Sequence, residues 1–583
     1  MKPQTRSGLP RQRLLWIVVV LLLCGGAVVA RAAYMQLVTD EFYQSRGNER
    51  FLREVTIATT RGMITDRNGE PLAVSSPVES IVVNPQVLMT DSKNIGRLAD
   101  ALNIPKDELT RRLAQKNDKQ FMYVRRHMNP DDAKAIVDLK IAGIRSEREF
   151  RRFYPHREVM AQVVGFTNLD EHGVEGMELA FDDWLTGEPG KQKVILDRDR
   201  RIVENVDLIR PATNGKDLVL SIDRRIQYLA YSELKKTIID NGARAGSAVV
   251  LDVKTGEVLA MVNYPSYNPN SRITISPSLR RNAAVTDVLE PGSTMKPFTV
   301  AAALEDGIDP NMLIPTGPGK YYIAGHYVSD THDYGPVDMR RLLVKSSNIA
   351  SAKLAAQMTS AHMYDVLNRF GFGERTQSGF PGESSAVLSA PNKWGPVEKA
   401  TISYGYGLSV TPLQLAQAYG ALANNGMMVD TTFIKDGATN KHKAIDPAVS
   451  SQVLNMLEDV TKTGGTATRA AIKGYHVAGK TGTSRRAVGG GYEKRYISLF
   501  AGVVPIDNPR FAMVVVVHEP SNGAYYGGLI SAPVFHNVME GALRLMDVPP
   551  DNMEQWYADK ALTGQPVMAE VVDEEPPDAG ALP

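Results

Sequence analysis

Residues 245–265 read AGSAVVLDVKTGEVLAMVNYP, and this stretch decides the fold class. Two apolar runs flank Lys254-Thr255-Gly256, which is typical of a β-hairpin closed by a glycine-containing turn. Three more apolar runs with strand character lie far along the chain, at 474–484, 495–505 and 510–520. Helical segments punctuated by Gly and Pro fill residues 290–465. A sheet built from strands at the two ends of a domain, with helices inserted between them, predicts an α+β fold.

Composition narrows the class of protein. The chain has 583 residues, 43 % apolar and 22 % charged, which is typical of a folded protein with a large core. Its 66 Lys and Arg against 65 Asp and Glu give a net charge of +1, so bulk electrostatics predicts no nucleic-acid partner. The single cysteine, Cys24, excludes an intrachain disulfide and any multi-thiolate metal site. The histidines show no metal-ligand spacing, and we expect neither a metal nor a cofactor.

The N-terminus carries the one strong targeting signal. Basic residues precede an uncharged run at 14–30, which predicts a transmembrane anchor at 14–34 and a cytoplasmic tail at 1–13. Because the basic flank stays inside, the remaining chain would lie on the periplasmic side of a bacterial inner membrane. The alternative is a cleaved signal peptide. Ala30-Arg31-Ala32 fits the cleavage pattern, but the apolar run is longer than signal peptides usually have.

The sequence pattern of the exported part changes near residue 215, which indicates a domain boundary. Residues 40–214 mix short strand-like runs with charged helical stretches and contain no catalytic motif, which indicates a non-catalytic domain. In this domain, Asp66-Arg67-Asn68-Gly69 predicts a hairpin turn rather than a calcium loop. Residues 215–550 form the predicted α+β domain, which begins with a strand at LVLSID, 218–223. Residues 551–583 end in an acidic, proline-containing stretch that predicts a disordered tail.

Three short motifs could carry chemistry. Ser-x-x-Lys, Ser-x-Asn and Lys-Thr-Gly together are the signature of serine enzymes that react with D-Ala-D-Ala peptides and penicillins. Each motif occurs more than once, so its surroundings must select the copy. Ser293 follows Glu-Pro-Gly and opens a helix, Ser346 lies where another helix begins, and Lys480 ends an extended segment before a glycine-rich turn. The rejected copies lie inside a helix, in turns or in the first domain; they begin at Ser92, Ser232, Ser266, Lys254 and Lys462.

The first motif suggests a nucleophile and a base. Lys296 is three residues beyond Ser293 on the same helix face, so its amine can reach the serine hydroxyl. Pro297 is tolerated only near a first turn, so the helix starts close to Ser293 and leaves free N–H groups that can stabilise an oxyanion. A desolvated lysine beside another cation loses its proton and can act as a base. The alternative is a serine N-cap followed by a surface lysine. Lys480 and the hydroxyls beside it suit a ligand carboxylate.

The selected motifs follow one another in the order Ser293, Ser346 and Lys480, with spacings of 53 and 134 residues. In this order the chain resembles the class B penicillin-binding proteins, the monofunctional peptidoglycan transpeptidases, and most of all their cell-division (septal) members. The resemblance runs from about residue 61 to 552 and includes RGMITDRNG at 61–69, GVEGME at 173–178, EPGSTMKP at 290–297, YGYG at 404–407 and YGG at 526–528. Departures such as Ala283 after Asn282 leave open a specialised paralogue of the division enzyme.

The resemblance implies both a fold and an activity. It implies a pedestal domain of the penicillin-binding protein dimerisation type at 40–214 and a transpeptidase domain at 215–550, with helices packed on an antiparallel sheet as in serine β-lactamases. It implies cross-linking of stem peptides through a Ser293 acyl-enzyme with release of the terminal D-Ala, in cell-wall synthesis at division. β-Lactams would inhibit the enzyme covalently, and a SEDS-type membrane glycosyltransferase with other division proteins would be its partners.

The resemblance also assigns roles to residues. Lys296 would take the proton of Ser293, Ser346 would relay a proton to the departing D-Ala, and Asn348 would hold the peptide amide. Backbone N–H groups of Ser293 and Thr483 would form the oxyanion hole. The implied substrate-binding residues are Ser347, Lys480, Thr481, Gly482, Thr483 and Tyr526.

Two other functions retain the same motifs. A D,D-carboxypeptidase or β-lactamase would let water resolve the acyl-enzyme, but the anchor, the pedestal and the division-type segments argue against it. A silent sensor or scaffold would bind peptidoglycan or β-lactam and signal through the membrane, but the motifs are intact and the predicted cytoplasmic tail has only 13 residues. The first exported domain lacks the acid pairs expected of a glycosyltransferase, so glycan polymerisation would need a partner.

Overall fold

The computed structural model describes residues 11–37, 52–196, 202–271, 275–488 and 491–551. Most of the predicted cytoplasmic tail, and the predicted acidic tail beyond residue 551, lie outside these residues. The chain forms two compact units. The first comprises the described residues that fall within 1–60, 77–149 and 187–214, and the second those that fall within 61–76, 150–186 and 215–583.

The described helices and strands alternate along the chain. The helices are α1 (Arg11–Leu37), α2 (Pro85–Leu88), α3 (Ser92–Leu102), α4 (Lys106–Ala114), α5 (Pro130–Val137), α6 (Ala161–Val164), α7 (Gly176–Ala180), α8 (Asp182–Leu185), α9 (Arg224–Asp240), α10 (Pro277–Arg280), α11 (Ala283–Thr286), α12 (Lys296–Glu305), α13 (Met339–Lys345), α14 (Asn348–Gln357), α15 (Ser360–Arg369), α16 (Pro396–Ser403), α17 (Pro412–Ala423), α18 (Pro447–Thr461) and α19 (Gly527–Leu545). The strands are β1 (Leu52–Ile57), β2 (Ile64–Thr65), β3 (Pro71–Val83), β4 (Met122–Met128), β5 (Ile144–Phe153), β6 (Phe166–Thr167), β7 (Gly173–Glu175), β8 (Gly190–Leu196), β9 (Ile202–Arg210), β10 (Leu218–Val219), β11 (Ala245–Asp252), β12 (Val258–Tyr264), β13 (Ile314–Pro315), β14 (Lys320–Ile323), β15 (His326–Ser329), β16 (Pro336–Val337), β17 (Met427–Val429), β18 (Lys441–Lys443), β19 (Ala478–Val488), β20 (Gly491–Val504) and β21 (Phe511–His518).

Helix α1 contains the apolar segment predicted as an anchor. It is long and apolar enough to cross a membrane. The side chains that the structure describes along it are exposed, including that of Cys24. A water-soluble protein would bury so apolar a surface, so α1 is suited to anchor the chain in a bilayer.

The first unit combines two layers. One is the three-stranded antiparallel sheet β1–β8–β9. The other contains strands β3 and β4, which pair antiparallel. The apolar faces of three helices pack on these strands and form a core with them: α3, α4 and α5. Asp91 caps the N-terminus of α3 by accepting a hydrogen bond from the Lys93 backbone N–H at 2.9 Å. This unit contains none of the motif residues selected from the sequence.

The second unit is built on a five-stranded antiparallel sheet of order β12–β11–β21–β20–β19. Strand β11 pairs with β12 in the hairpin predicted from residues 245–265 and with β21 on its other side, where Ala245 lies opposite His518. Strands from both ends of the domain therefore share one sheet, and the predicted α+β fold is confirmed. The strand predicted at 218–223 was too long, since only Leu218–Val219 forms β10. The strand ends there because the backbone N–H of Ser221 donates a hydrogen bond to the carbonyl of Phe433 and not to a residue of β2.

The sheet is covered by helices that also hold the start of α12. Helices α9 and α19 contact each other and the sheet, and α17, buried along its whole length, packs against β11 and β21. On α12, the Phe298 ring lies edge-on to those of Phe370, Phe372 and Tyr419, with centroids 5.0, 4.9 and 5.4 Å away. The Tyr419 hydroxyl donates to the Thr294 carbonyl at 2.9 Å, which fixes the turn before α12.

A buried ion cluster lies elsewhere in the second unit. Glu178 accepts hydrogen bonds from Arg61 Nε at 2.7 Å, Arg152 Nε at 2.6 Å and the Tyr154 hydroxyl at 3.4 Å. Arg61 also donates to Asp182 at 2.7 Å. Both arginines are almost wholly buried, so each charge depends on these partners.

Candidate active site

Ser293 lies in a 3₁₀ turn, Gly292–Met295, directly before α12. The helix begins at Lys296 with Pro297 in its first turn, as the sequence indicated. Gly292 N donates to Gly405 O at 3.0 Å, and a Cβ on Gly405 would lie 2.0 Å from Gly292 O. The glycine at 405, with φ of +89°, therefore allows the YGYG turn to pack directly on the turn that carries Ser293.

Lys296 is fully buried at the centre of the site. Its Nζ lies 3.1 Å from Ser293 Oγ, 3.2 Å from Ser346 Oγ and 2.8 Å from Asn348 Oδ1, and it also donates to the Ser346 carbonyl. Burial lowers the pKa of Lys296 to about 7, against the opposing influence of the Asp330 charge. A large share of this amine is therefore neutral near pH 7 and can accept a proton.

Ser346 joins the two lysines of the site. It ends α13 in the left-handed conformation, with φ of 59°, which directs the chain into α14. Its Oγ lies 3.2 Å from Lys296 Nζ and 3.0 Å from Lys480 Nζ. The hydroxyl can therefore pass a proton between groups on either side of it.

Lys480 is fully buried on β19. Burial, and after it the charge of Lys296, lowers the pKa of Lys480 well below its usual value. Two amines that share one hydroxyl repel each other when both are charged, which favours a neutral form of one of them. Next on the strand, Thr481 Oγ1 lies 3.0 Å from Thr466 Oγ1, and Thr483 Oγ1 accepts from Gly527 N at 3.3 Å.

Asp330 holds the second motif in place. Its carboxylate accepts hydrogen bonds from Asn348 N at 2.6 Å, from Ile349 N at 3.2 Å and from the Ser347 hydroxyl. Sequence reasoning missed Asp330, because a lone aspartate between short strands carries no motif. The available signal was the start of α14, where free N–H groups require an acceptor.

Three further residues were predicted to bind substrate: Ser347, Gly482 and Tyr526. Each of them lies in a different local environment. Ser347 caps α14 by accepting from Ala350 N at 2.9 Å, so its buried hydroxyl is engaged within the protein. Gly482 allows β19 to lie close to the turn that carries Ser293, since a Cβ on residue 482 would lie 2.9 Å from Pro291 O. The Tyr526 ring packs on Tyr525 at 4.4 Å, directly before α19.

Glu290, three residues before Ser293, is a half-buried acid with one buried carboxylate oxygen. Its Oε1 accepts from Gly407 N at 2.9 Å and from the Tyr492 hydroxyl at 3.2 Å. Within the described part of the chain, its buried Oε2 has no hydrogen-bond partner. Burial raises the pKa of this carboxyl, and its neutral donors oppose that shift only in part. Sequence reasoning quoted Glu290 as part of a motif but gave it no role.

The structure therefore brings together Ser293, Lys296, Ser346, Asn348 and Lys480 in one chain of hydrogen bonds. A buried base beside a hydroxyl at a helix start can form and resolve an acyl-enzyme. Among the described residues, one group of side chains, His476, Asp507 and Asp551, is close enough to bind a metal ion, and none of them belongs to this chain of hydrogen bonds.

Comparisons with known proteins agree with this geometry. Residues 246–540 match the penicillin binding protein transpeptidase domain, and residues 56–220 match the penicillin-binding protein dimerisation domain. The probable peptidoglycan D,D-transpeptidase PbpC of Pseudomonas aeruginosa is 40 % identical, over 93 % of this chain and 96 % of that protein. The peptidoglycan D,D-transpeptidase FtsI of Escherichia coli K12 is 43 % identical, over 91 % and 92 %. Penicillin-binding protein 3 of Mycobacterium tuberculosis, solved with aztreonam, aligns with a TM-score of 0.66 at 28 % identity, over 85 % and 98 %.

Proposed function

Because this chain belongs to the class B penicillin-binding proteins and is a peptidoglycan D,D-transpeptidase, we propose that Ser293 is its nucleophile and Lys296 its base. One observation carries the proposal: a fully buried lysine amine lies 3.1 Å from the Ser293 hydroxyl. Its pKa, lowered to about 7, provides the neutral amine that an alcohol nucleophile needs. A surface lysine beside an N-cap serine, the simpler alternative, does not fit this burial.

Acylation follows from these positions. Ser293 Oγ attacks the carbonyl carbon of the penultimate D-Ala, and its proton moves to Lys296 Nζ. Ser346 then donates its proton to the nitrogen of the departing D-Ala as the peptide bond breaks, and takes back the proton held by Lys296. Backbone N–H groups of Ser293 and Thr483 stabilise the oxyanion, each by about 3–4 kcal/mol. Contacts of Ser346 Oγ with both lysine amines, at 3.2 and 3.0 Å, support the relay.

The donor peptide is held by groups around the nucleophile. Asn348 binds its backbone amide, and Lys480 with Thr481 and Thr483 binds its terminal carboxylate. Gly482, Ser347 and Tyr526 shape this site. The amine of a second stem peptide then attacks the acyl carbon, which releases Ser293 and forms the cross-link. A β-lactam enters the same path when Ser293 opens its ring, but no acceptor amine then frees the enzyme.

The chain acts at the membrane. We infer that helix α1 is the anchor, and the basic residues that precede its apolar run support a catalytic domain on the periplasmic side. We propose that a SEDS-type glycosyltransferase supplies the glycan strands together with other division proteins, because the first exported domain lacks the acid pairs expected of a glycosyltransferase. A protease added to spheroplasts should digest the catalytic domain, whereas protection there would reverse the assigned orientation.

Intact mass spectrometry of the full-length chain in detergent, mixed with a penicillin, tests the catalytic assignment. We expect a persistent adduct that peptide mapping locates on Ser293 and that Ser293→Ala abolishes. Ser232→Ala, at the rejected Ser-x-x-Lys copy, should be acylated like the parent. An adduct that clears as the drug is hydrolysed would indicate a β-lactamase, and the absence of any adduct would indicate a scaffold.

A further inference from the structure

Strands β14 and β15 form a hairpin with two different faces. On the inner face, Tyr321 and Val328 pack in a small apolar core with Ile349 of α14. On the outer face, Tyr322 and Tyr327 lie directly opposite each other in the ladder. Their ring centroids are 5.1 Å apart, and the two residues are 59 % and 57 % exposed.

Among the residues that the structure describes, no other aromatic ring stacks on Tyr322 or Tyr327 besides its partner in the pair. Neither hydroxyl is hydrogen-bonded to another residue in the part of the chain that the structure describes. The charged side chain on the outer face is Lys320, which lies opposite Ser329 and is exposed. Paired aromatic rings open to water, with hydrogen-bonding groups at their edges, fit a ligand that has both apolar faces and polar rims.

The hairpin is continuous with the catalytic cleft. Ser329, the last residue of β15, accepts a hydrogen bond at its carbonyl from Asn348 Nδ2 at 3.2 Å. The next residue, Asp330, binds the backbone of Asn348 and Ile349. The hairpin therefore ends beside Asn348, one of the residues of the candidate active site, and adjoins any polymer that places one of its branches there.

We propose that the outer face of this hairpin binds the glycan strand of peptidoglycan while its stem peptide occupies the cleft. The inference rests on the proposed function, because the cleft must hold the peptide. Pyranose rings present apolar C–H faces to Tyr322 and Tyr327, and their hydroxyl and acetamide oxygens accept from the tyrosine hydroxyls and Lys320. A stem peptide carries carboxylates and an amine, and two neutral rings with one lysine recognise those charges poorly.

Binding of peptide-free glycan strands to the full-length chain in detergent, measured by calorimetry, tests the proposal. We expect binding to the parent, and a loss of about tenfold in affinity for Tyr322→Ala/Tyr327→Ala, the size of effect that one or two lost ring contacts produce. Tyr322→Phe/Tyr327→Phe keeps the rings and should retain most of the affinity. Tyr228→Ala, which removes a tyrosine that is 62 % exposed on α9, should bind like the parent.

Penicillin acylation of Ser293 in the same samples separates this proposal from the proposed function. We expect an unchanged acylation rate in every tyrosine variant. Lack of acylation in the parent would instead overturn the catalytic assignment.

The glycan proposal is wrong if the parent does not bind peptide-free strands, or if the double alanine variant binds them as the parent does. It is also wrong if acylation falls together with affinity, which would show a purely structural role. A variant that keeps its glycan affinity but loses cross-linking in cells would assign this face to a protein partner.

Discussion

At the scale of single residues, the chemistry depends on how Lys296 is surrounded. Its amine lies within hydrogen-bond distance of two hydroxyls, a carbonyl and an amide oxygen, all of which are uncharged. These dipoles solvate the ammonium form less well than water does, and the charge of Asp330 compensates only in part. The fold therefore lowers the pKa of this lysine by removing water from it, which is what the proposed base requires.

Acylation should depend on pH through this amine. Because only the neutral form accepts the proton of Ser293, protonation of Lys296, with its pKa at about 7, should slow the reaction as pH falls. We expect the second-order rate constant for penicillin to fall by about tenfold per pH unit below 7 and to level off above it. Stopped-flow rates from pH 5.5 to 9, with circular dichroism to verify folding, test this. A flat profile would assign the base to another group.

Asp330 should matter although it does not touch the substrate. In Asp330→Ala, the Ser347 hydroxyl and two backbone N–H groups lose their acceptor, at a cost of about 1–3 kcal/mol for each buried group left unpaired. We expect penicillin acylation to fall by roughly 100-fold, because a 1 Å displacement of reacting groups has an effect of that size.

The matched control is Asp333→Ala, which removes an exposed carboxylate that accepts from Gly335 N in the same loop. Its rate should equal that of the parent. Equal rates for both variants would remove Asp330 from the positioning of Ser346 and Asn348.

At the scale of elements, much of the site was predictable because its signals are local. The proline after Lys296 placed the start of α12, and the apolar runs at both ends placed the sheet strands. Other features depend on contacts across the chain. Asp330 meets α14 only in the folded state, Gly405 is required by the backbone of Gly292, and β10 ends early because Ser221 bonds Phe433. A single sequence can indicate that a helix start needs an acceptor, but it does not indicate which distant residue provides it.

Gly405→Ala tests the contact between two turns. A Cβ there would lie 2.0 Å from Gly292 O and would require a residue at φ of +89°, so the turn that carries Ser293 must shift. We expect a lower melting temperature and at least tenfold slower penicillin acylation, since misplacing a nucleophile by about 1 Å costs that much or more.

Gly379→Ala serves as its control. This glycine also has a positive φ, of +70°, but its Cβ would meet nothing within 4 Å. It should lose a little stability and keep its acylation rate. An equal loss of rate in both variants would attribute the effect to backbone strain rather than to contact with Gly292.

At the scale of the whole molecule, the second unit gathers residues that are far apart in the sequence. Arg61 and Arg152 meet Glu178 there, in the same unit as the sheet that carries Lys480. Glu178→Ala leaves two buried guanidinium groups without their shared partner. We expect the free energy of unfolding to fall by about 3–5 kcal/mol, as for other broken buried ion pairs.

Chemical denaturation of the full-length chain measures this loss. Glu540→Ala removes an exposed partner of Arg544 one helical turn away and should cost less than about 1 kcal/mol. Similar values for the two variants would show that the buried cluster contributes no more than a surface pair.

Because residues of the site are far apart in the sequence, the ribosome synthesises them at different times. Ser293 leaves the ribosome 187 residues before Lys480, and β11 lacks its second neighbour until β21, at 511–518, has been made. At a synthesis rate of roughly 5–20 residues per second, Lys480 is made about 10–40 s after Ser293. A nascent chain therefore carries the serine before it can carry out the reaction, and we expect newly made enzyme to acquire activity only after β21 has been synthesised.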